Sequence, residues 1–292
     1  MDVTLAARRA KNRNALSFVA IRHRIVRQKV TIVDPPFHYL ATFVKSLKHI
    51  SRRSFLATTV GGSVAAGAYG STRMRASREH FTILFQGDSI TDGNRGRGED
   101  PNHILGHGYA FAIASTLASK YPGRDLSFIN KGVSGDKVSD LLARWDRDAV
   151  SLKPDVLSIL VGINDLLANL GAENVTDFAT PYRQLLTKTS NEMPGTVIVL
   201  CEPFILPVGM IHKNPDKWKR DIAHAQQVVK DLAVEFAAVH VPFQRMFDQA
   251  CKQAAAGYWI WDGIHPTYAG HGLMARLWIK EVSTRCDKVV DR

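Results

Sequence analysis

FTILFQGDSITDG, residues 81–93, joins an apolar run of strand length to a Gly-Asp-Ser turn. Gly87 lets the chain turn sharply, and a serine on such a turn, here Ser89, exposes its hydroxyl above a sheet edge. Taken by itself Gly-Asp-Ser is as well explained by turn chemistry. It is also not the G-x-S-x-G elbow of α/β-hydrolases, because position 91 is Thr91. Whether Ser89 is a nucleophile therefore depends on what the remaining chain supplies.

Downstream the pattern alternates. Apolar runs of strand length occupy 81–85, 126–130, 155–161, 196–200 and 237–242, and amphipathic stretches of helix length occupy 109–121, 137–150, 175–190, 218–237 and 268–282. Near-continuous apolar strands separated by helices predict a parallel sheet covered on both faces. The expected fold class is α/β: a three-layer α/β/α sandwich over residues 79–292 with a mostly parallel five-stranded sheet. Chemistry in such sheets collects where loops leave the carboxyl ends of the strands.

Four of those ends carry polar groups suited to acyl transfer. Ser89 follows the first strand. The second runs into NKGVSGD, residues 130–136, whose two glycines free backbone N–H groups at a helix mouth; a plain cap by Ser134, Gly135 or Asp136 explains the same residues. The third ends in VGINDLL, which puts Asn164 at the sheet edge as an amide donor or a turn residue. The last carries WDGIHPTYAGH, in which Asp262 and His265 are three apart before Pro266 and a helix start. One helical-type turn brings that carboxylate beside the imidazole and leaves Nε2 as a base. A cap with a surface histidine is the bland alternative, and His271 competes for the base role without an adjacent carboxylate.

Jointly the four ends supply a nucleophile (Ser89), a base (His265), its orienting acid (Asp262) and oxyanion donors at Gly135 N–H and Asn164 Nδ2. No cofactor is needed for that chemistry. Trp259, Trp261, Tyr258 and Phe204 offer aromatic faces near these ends that can stack on a ligand ring, or equally pack the base-bearing loop or an oligomer contact.

The formal charge of +11 first suggests a polyanion partner, but residues 1–78 hold 15 Lys/Arg against 2 Asp/Glu, which leaves 23 basic and 25 acidic residues in the body. A basic leader on a near-neutral body argues against nucleic-acid binding, which needs cations gathered on a folded face. Cys201, Cys251 and Cys286 show no metal-type spacing; their odd number rules out a fully paired framework and leaves a Cys251–Cys286 bridge open. Within the leader, SRRSFLATTVGGSVAAGAYG from Ser51 resembles a twin-arginine export signal, too short and too weakly apolar for a comfortable membrane span. The expected location is periplasmic or secreted, with no stable membrane span after export. Some fifty residues precede the arginine pair, so an upstream mis-set start, with translation beginning near Val44 or Leu47, is expected.

The blocks GDS, NKGVSGD, GIND and DGIH, in that order, resemble those of the GDSL or SGNH hydrolases, over nearly the whole body. The resemblance implies the flavodoxin-like SGNH fold. It places the nucleophile on Ser89, whose own N–H joins the oxyanion hole, the other donors on Gly135 and Asn164, and the acid and base on Asp262 and His265. Within the family the blocks look most like bacterial acetylxylan esterases and related carbohydrate acetylesterases. Those act on acetylated carbohydrate without metal or cofactor, and some form large homo-oligomers. The loop of residues 94–108, the segment 204–220 and the Trp259/Trp261 pair depart from the pattern and leave the sugar open. A lysophospholipase or thioesterase of the same fold is the alternative; a non-catalytic carbohydrate-binding module would be expected to lack a triad member, and none is missing.

Overall fold

The computed structural model describes residues 80–168 and 177–286. The expected leader, residues 1–78, lies outside the described residues, as do the first two residues of the helix expected over 175–190.

Five strands form one sheet: β1 (Phe81–Gly87), β2 (Leu126–Asn130), β3 (Val156–Leu160), β4 (Val197–Cys201) and β5 (Val239–Val241). Their order is β2-β1-β3-β4-β5 and every neighbouring pair is parallel, the flavodoxin-like doubly wound order. β1 and β3 are interior strands and buried at every residue, which is why both read as unbroken apolar runs rather than as an alternation.

Helices α1 (Ser89–Asp92) and α2 (Tyr109–Lys120) follow β1; α3 (Val138–Ala143) and α4 (Trp145–Asp148) follow β2. α5 (Ile163–Ala168) and α6 (Ala179–Glu192) follow β3, and α7 (Pro215–Glu235) follows β4. After β5 come α8 (Phe243–Ala250), α9 (Ala256–Trp259) and α10 (Tyr268–Ser283). α10 packs against α2 and α8, while α6 packs against α3 and α7. On the α10 side, Trp278 sits 5.6 Å from Phe85 and donates its indole N–H to Ser158 Oγ at 2.9 Å, and Tyr109 meets Phe85 edge-on. Aromatic pairs of this kind contribute about 0.5–1.5 kcal/mol each beyond the area they bury. Trp145 is also fully buried, its indole N–H given to Thr189 Oγ1 on α6 at 3.0 Å.

The sequence pattern and the structure part company in three places. The helix expected over 137–150 breaks at Arg144, whose backbone (φ −111°, ψ 7°) leaves the helical region. Its guanidinium is turned inward onto Asp136, Gln86 and Asp148. The last strand is shorter than expected because Ala237 adopts a left-handed conformation (φ 51°) just before it. α8 is a helix the periodicity did not single out. Cys251 and Cys286 are not joined.

Gly87 is where the fold meets the site. Its φ is +153°, and a Cβ there would run into the Leu160 carbonyl of β3 and the Thr91 hydroxyl of α1. Gly87→Ala should therefore lower the unfolding free energy by about 3 kcal/mol or more. Urea denaturation measures this, and an unchanged midpoint would show that the close approach does not exist.

Candidate active site

Ser89 opens α1 directly after the carboxyl end of β1. Asp88 caps that helix, its Oδ1 accepting the Ile90 N–H at 3.0 Å. Ser89 Oγ lies 2.8 Å from His265 Nε2, 176 residues away in the chain. His265 Nδ1 lies 2.6 Å from Asp262 Oδ2. With the proton on Nδ1 given to the carboxylate, Nε2 is an acceptor and the serine hydroxyl donates to it, the polarity a nucleophile and its base require.

The loop carrying Asp262 and His265 is held from several directions. Ile260 and Pro266 form an antiparallel bridge, and the Trp261 N–H donates to the His265 carbonyl at 3.1 Å. Asp262 Oδ1 accepts the backbone N–H groups of Ile264 (3.0 Å) and His265 (2.8 Å). Burial pushes the Asp262 carboxyl up, but those N–H groups and the imidazole outweigh it and hold it below the usual carboxylate value. Asp262 is thus an anion at any pH where the imidazole must serve as a base. A strap of residues 204–211 supports the loop from outside: Leu206 N–H donates to Gly263 O at 2.9 Å and Met210 N–H to Asp262 O at 3.0 Å. At Gly209 (φ +54°) any side chain would strike the Asp262 backbone.

The second block is fastened to the first. Asn130 Nδ2 donates to Thr91 O at 2.7 Å and to Leu105 O at 3.0 Å, while its Oδ1 accepts the Gly132 N–H. Asp92, on the helix that carries Ser89, accepts the Ser134 N–H at 3.1 Å and pairs with Arg97 at 2.7 Å. Next to Ser134, Gly135 sits at φ +92° with open space where a side chain would be, so its backbone is accessible to a ligand. Asn164, second residue of α5, donates one amide proton to Asp136 O at 3.0 Å. An amide carries two protons, so the second remains for an incoming oxygen. Asp165 fixes the same corner by accepting the Val138 N–H.

Ser89, His265 and Asp262 thus form one hydrogen-bonded chain, and Asn164 is tied to the loop that contains Gly135. In the sequence, the segment 204–220 and the loop 94–108 stand out only as departures from the family pattern; the Asp92–Arg97 pair and the support that residues 204–211 give the Asp262 loop come from the structure. A carboxylate three residues after the serine was visible, but nothing local marks its partner as Ser134, 42 residues on. Of the aromatic candidates, Phe204 is buried against Phe243 and Phe247, and Trp259 donates its indole N–H to Ala250 O. Tyr258 and Trp261 are exposed, and the Trp261 ring lies nearly parallel to that of His265, centroids 6.1 Å apart. Among the described residues no group of three or more His, Cys, Asp or Glu could hold a metal ion, and no helix is long and apolar enough to cross a membrane.

Comparison with known proteins agrees with this layout. Residues 85–273 match the GDSL-like lipase/acylhydrolase family. An acetylxylan esterase of Geobacillus stearothermophilus is 34% identical over 209 residues, covering 68% of this chain and 93% of that one. Its crystal structure superimposes with a TM-score of 0.62 over 73% of this chain and 97% of that chain. A structure from Parabacteroides merdae assigned as a GDSL-like lipase aligns at 38% identity with a TM-score of 0.67, covering 71% of this chain and 98% of that one. Catalytic mutants of the Geobacillus enzyme alter a serine, an aspartate and a histidine, the last two three residues apart, as Asp262 and His265 are here.

His271, the other histidine of the last block, has a different occupation. Its Nδ1 accepts the Tyr109 N–H at 3.1 Å and so caps α2 from a neighbouring helix. Burial, with His107 and His265 nearby, pushes its pKa down to about 4. The unfolded chain takes up this proton first, near the ordinary histidine value of 6.5, so the stability given by neutral His271 is complete above that pH and is lost as pH falls toward 4. His271→Ala should cost about 2 kcal/mol at pH 8, and the gap to wild type should shrink between pH 6.5 and 4. A gap that is constant across that range in chemical denaturation would contradict a neutral capping imidazole.

Proposed function

Because the chain belongs to the GDSL-like lipase/acylhydrolase family and is thereby a carboxylic ester hydrolase, we propose that it is a serine acetylesterase acting on acetylated carbohydrate, xylan or xylo-oligosaccharide, through an acetyl-enzyme. His265 Nε2 takes the Ser89 proton as Oγ attacks the acetyl carbonyl. The tetrahedral oxyanion forms against the N–H groups of Ser89 and Gly135 and the Asn164 amide. His265 then gives its proton to the sugar oxygen as its bond to the acetyl carbon breaks, so the sugar leaves as an alcohol and Ser89 is left acetylated. Water deprotonated by the same imidazole releases acetate and restores the serine. Asp262 stays ionised throughout and steadies the imidazolium.

The observation that carries this reading is the 2.8 Å and 2.6 Å chain from Ser89 through His265 to Asp262. The sugar is supported by the acetylxylan esterase relative and by Trp261, a two-thirds exposed indole beside the base. Exposing that much aromatic surface at the mouth of a site suits the apolar face of a pyranose ring. An exported location, directed by the twin-arginine-type leader, fits a polysaccharide substrate.

One observation favours a longer acyl group. A cavity of about 350 Å³ lined by Ile205, Leu206, Pro207, Ile211, Ile222 and Ala223, with polar residues at its margin, lies behind the strap. Its lining includes none of Ser89, Asp262 or His265, which leaves acetyl the better fit.

Ser89→Ala should lower p-nitrophenyl acetate turnover by several orders of magnitude, and Asn164→Ala by about 10²–10³. A pre-steady-state burst of p-nitrophenol should appear when deacylation is slow; an Ser89→Ala variant that still hydrolyses the ester would end the proposal. Trp261→Ala should raise KM for acetylated xylo-oligosaccharides by about tenfold, the size of a 1–2 kcal/mol stacking loss, while changing KM for p-nitrophenyl acetate little. Equal effects on both substrates would remove the sugar-stacking role, and a rate rising from acetyl to palmitoyl esters would favour the lipid-type reading.

A further inference from the structure

Asp88 takes no part in the reaction as written, yet it is the chain neighbour of Ser89 and is 1% exposed. Its Oδ1 has one clear duty, accepting the Ile90 N–H at 3.0 Å. Its Oδ2 is buried and has no hydrogen-bond partner among the described residues. The acids that act on it most strongly are Asp165 on α5 and Asp136 in the loop between β2 and α3, and the buried Tyr109 hydroxyl on α2, hydrogen-bonded to Thr91 Oγ1 at 3.0 Å, feels its charge. Arg144 gives its Nε and Nη1 protons to Asp136, Gln86 and Asp148, its Nη2 has no hydrogen-bond partner among the described residues, and it makes no bond to Asp88. Lys137 acts on Asp165, which accepts the Val138 N–H.

A buried carboxylate persists when several donors or a cation surround it, and is otherwise replaced by the neutral acid. Here one carboxyl oxygen accepts the Ile90 N–H, with a smaller contribution from the N–H of Asp88 itself, the other has no hydrogen-bond partner among the described residues, and Asp165 and Asp136 add like charge. We propose that Asp88 is a positioning residue that works as the neutral acid: protonated, it caps and orients the turn bearing Ser89; once its proton is lost to solvent, its charge opposes the oxyanion and halts acylation. Burial, reinforced by Asp165 and Asp136 and only partly offset by the Ile90 N–H, pushes its pKa up to about 7, within the range where an esterase operates. A unit charge on the residue that precedes the attacking serine, in a partly desolvated site, is enough to slow the step tenfold or more. The inference rests on the reading of Ser89 as the nucleophile.

The test is the pH profile of kcat/KM for p-nitrophenyl acetate between pH 5 and 10, with Asp88→Asn beside wild type. Wild type should fall about tenfold per pH unit on the alkaline side. In Asp88→Asn the alkaline limb should vanish, so that its pH 9 to pH 6 activity ratio exceeds that of wild type at least tenfold. Stability supplies a second readout. A carboxyl whose pKa is raised in the folded state stabilises the fold fully below its unfolded value near 4, and that contribution is lost as pH rises through about 7. The Tm of Asp88→Asn relative to wild type should therefore climb between pH 4 and 8; a cap without charge chemistry would give a constant difference. Should Asp88→Asn fail to fold, Asp88→Ser keeps a neutral acceptor and takes the same two measurements. An alkaline limb of unchanged midpoint, or a Tm difference independent of pH, overturns the role of Asp88. Activity surviving in Ser89→Ala overturns instead the reading of the site on which it rests.

Discussion

Gly87 pairs with Leu160 and Phe85 with Asn130, so β1, β2 and β3 release their chains at one edge of the sheet, side by side. Everything else in the site is a consequence of that register. A loop that leaves a parallel strand must reach the start of the next helix, and here three such loops crowd into one corner. Their polar groups are forced to satisfy one another: Asn130 takes the carbonyls of Thr91 and Leu105, Asp92 takes the Ser134 N–H, and Asn164 takes the Asp136 carbonyl. Because buried polar groups must find partners, the same bonds that make the corner foldable also fix the nucleophile relative to its oxyanion donors.

The base arrives differently. His265 is brought in by a loop between α9 and α10, far from β1 in sequence, and depends on a bridge, two backbone N–H bonds to Asp262 and the strap at residues 204–211. The corner is thus a rigid half built on strand ends and a second half suspended from turns. The Ser89–His265 bond is the seam between them.

The fold was legible in the sequence because fully buried parallel strands leave a simple trace, an apolar run without alternation, and the helices between them are long enough to show their period. The candidates Ser89, Gly135, Asn164, Asp262 and His265 stood out because each follows a predicted strand or precedes a predicted helix, and three of them, Ser89, His265 and Asp262, lie in one hydrogen-bonded chain. The break at Arg144 was not, since it arises from a guanidinium drawn inward to partners up to 58 residues away, which no local window records. The partners of Asp92 and of the strap were hidden for the same reason: they are defined by tertiary contact. His271 shows the converse, a residue whose type and place suit a base but whose ring nitrogen is spent on the Tyr109 N–H.

The strap has an implication for how a chain of this kind can diversify. It backs onto the apolar cavity between the strap, α7 and α8, and through Leu206 and Met210 it is bonded to the residues that set the tautomer of His265. A lineage that lengthened or repacked this segment to admit a different substrate would displace the Asp262 backbone at the same time. New specificity arising on that side of the molecule would have to be accompanied by compensating change at Gly209 or Gly263, where the strap and the base-bearing loop leave no room for a side chain.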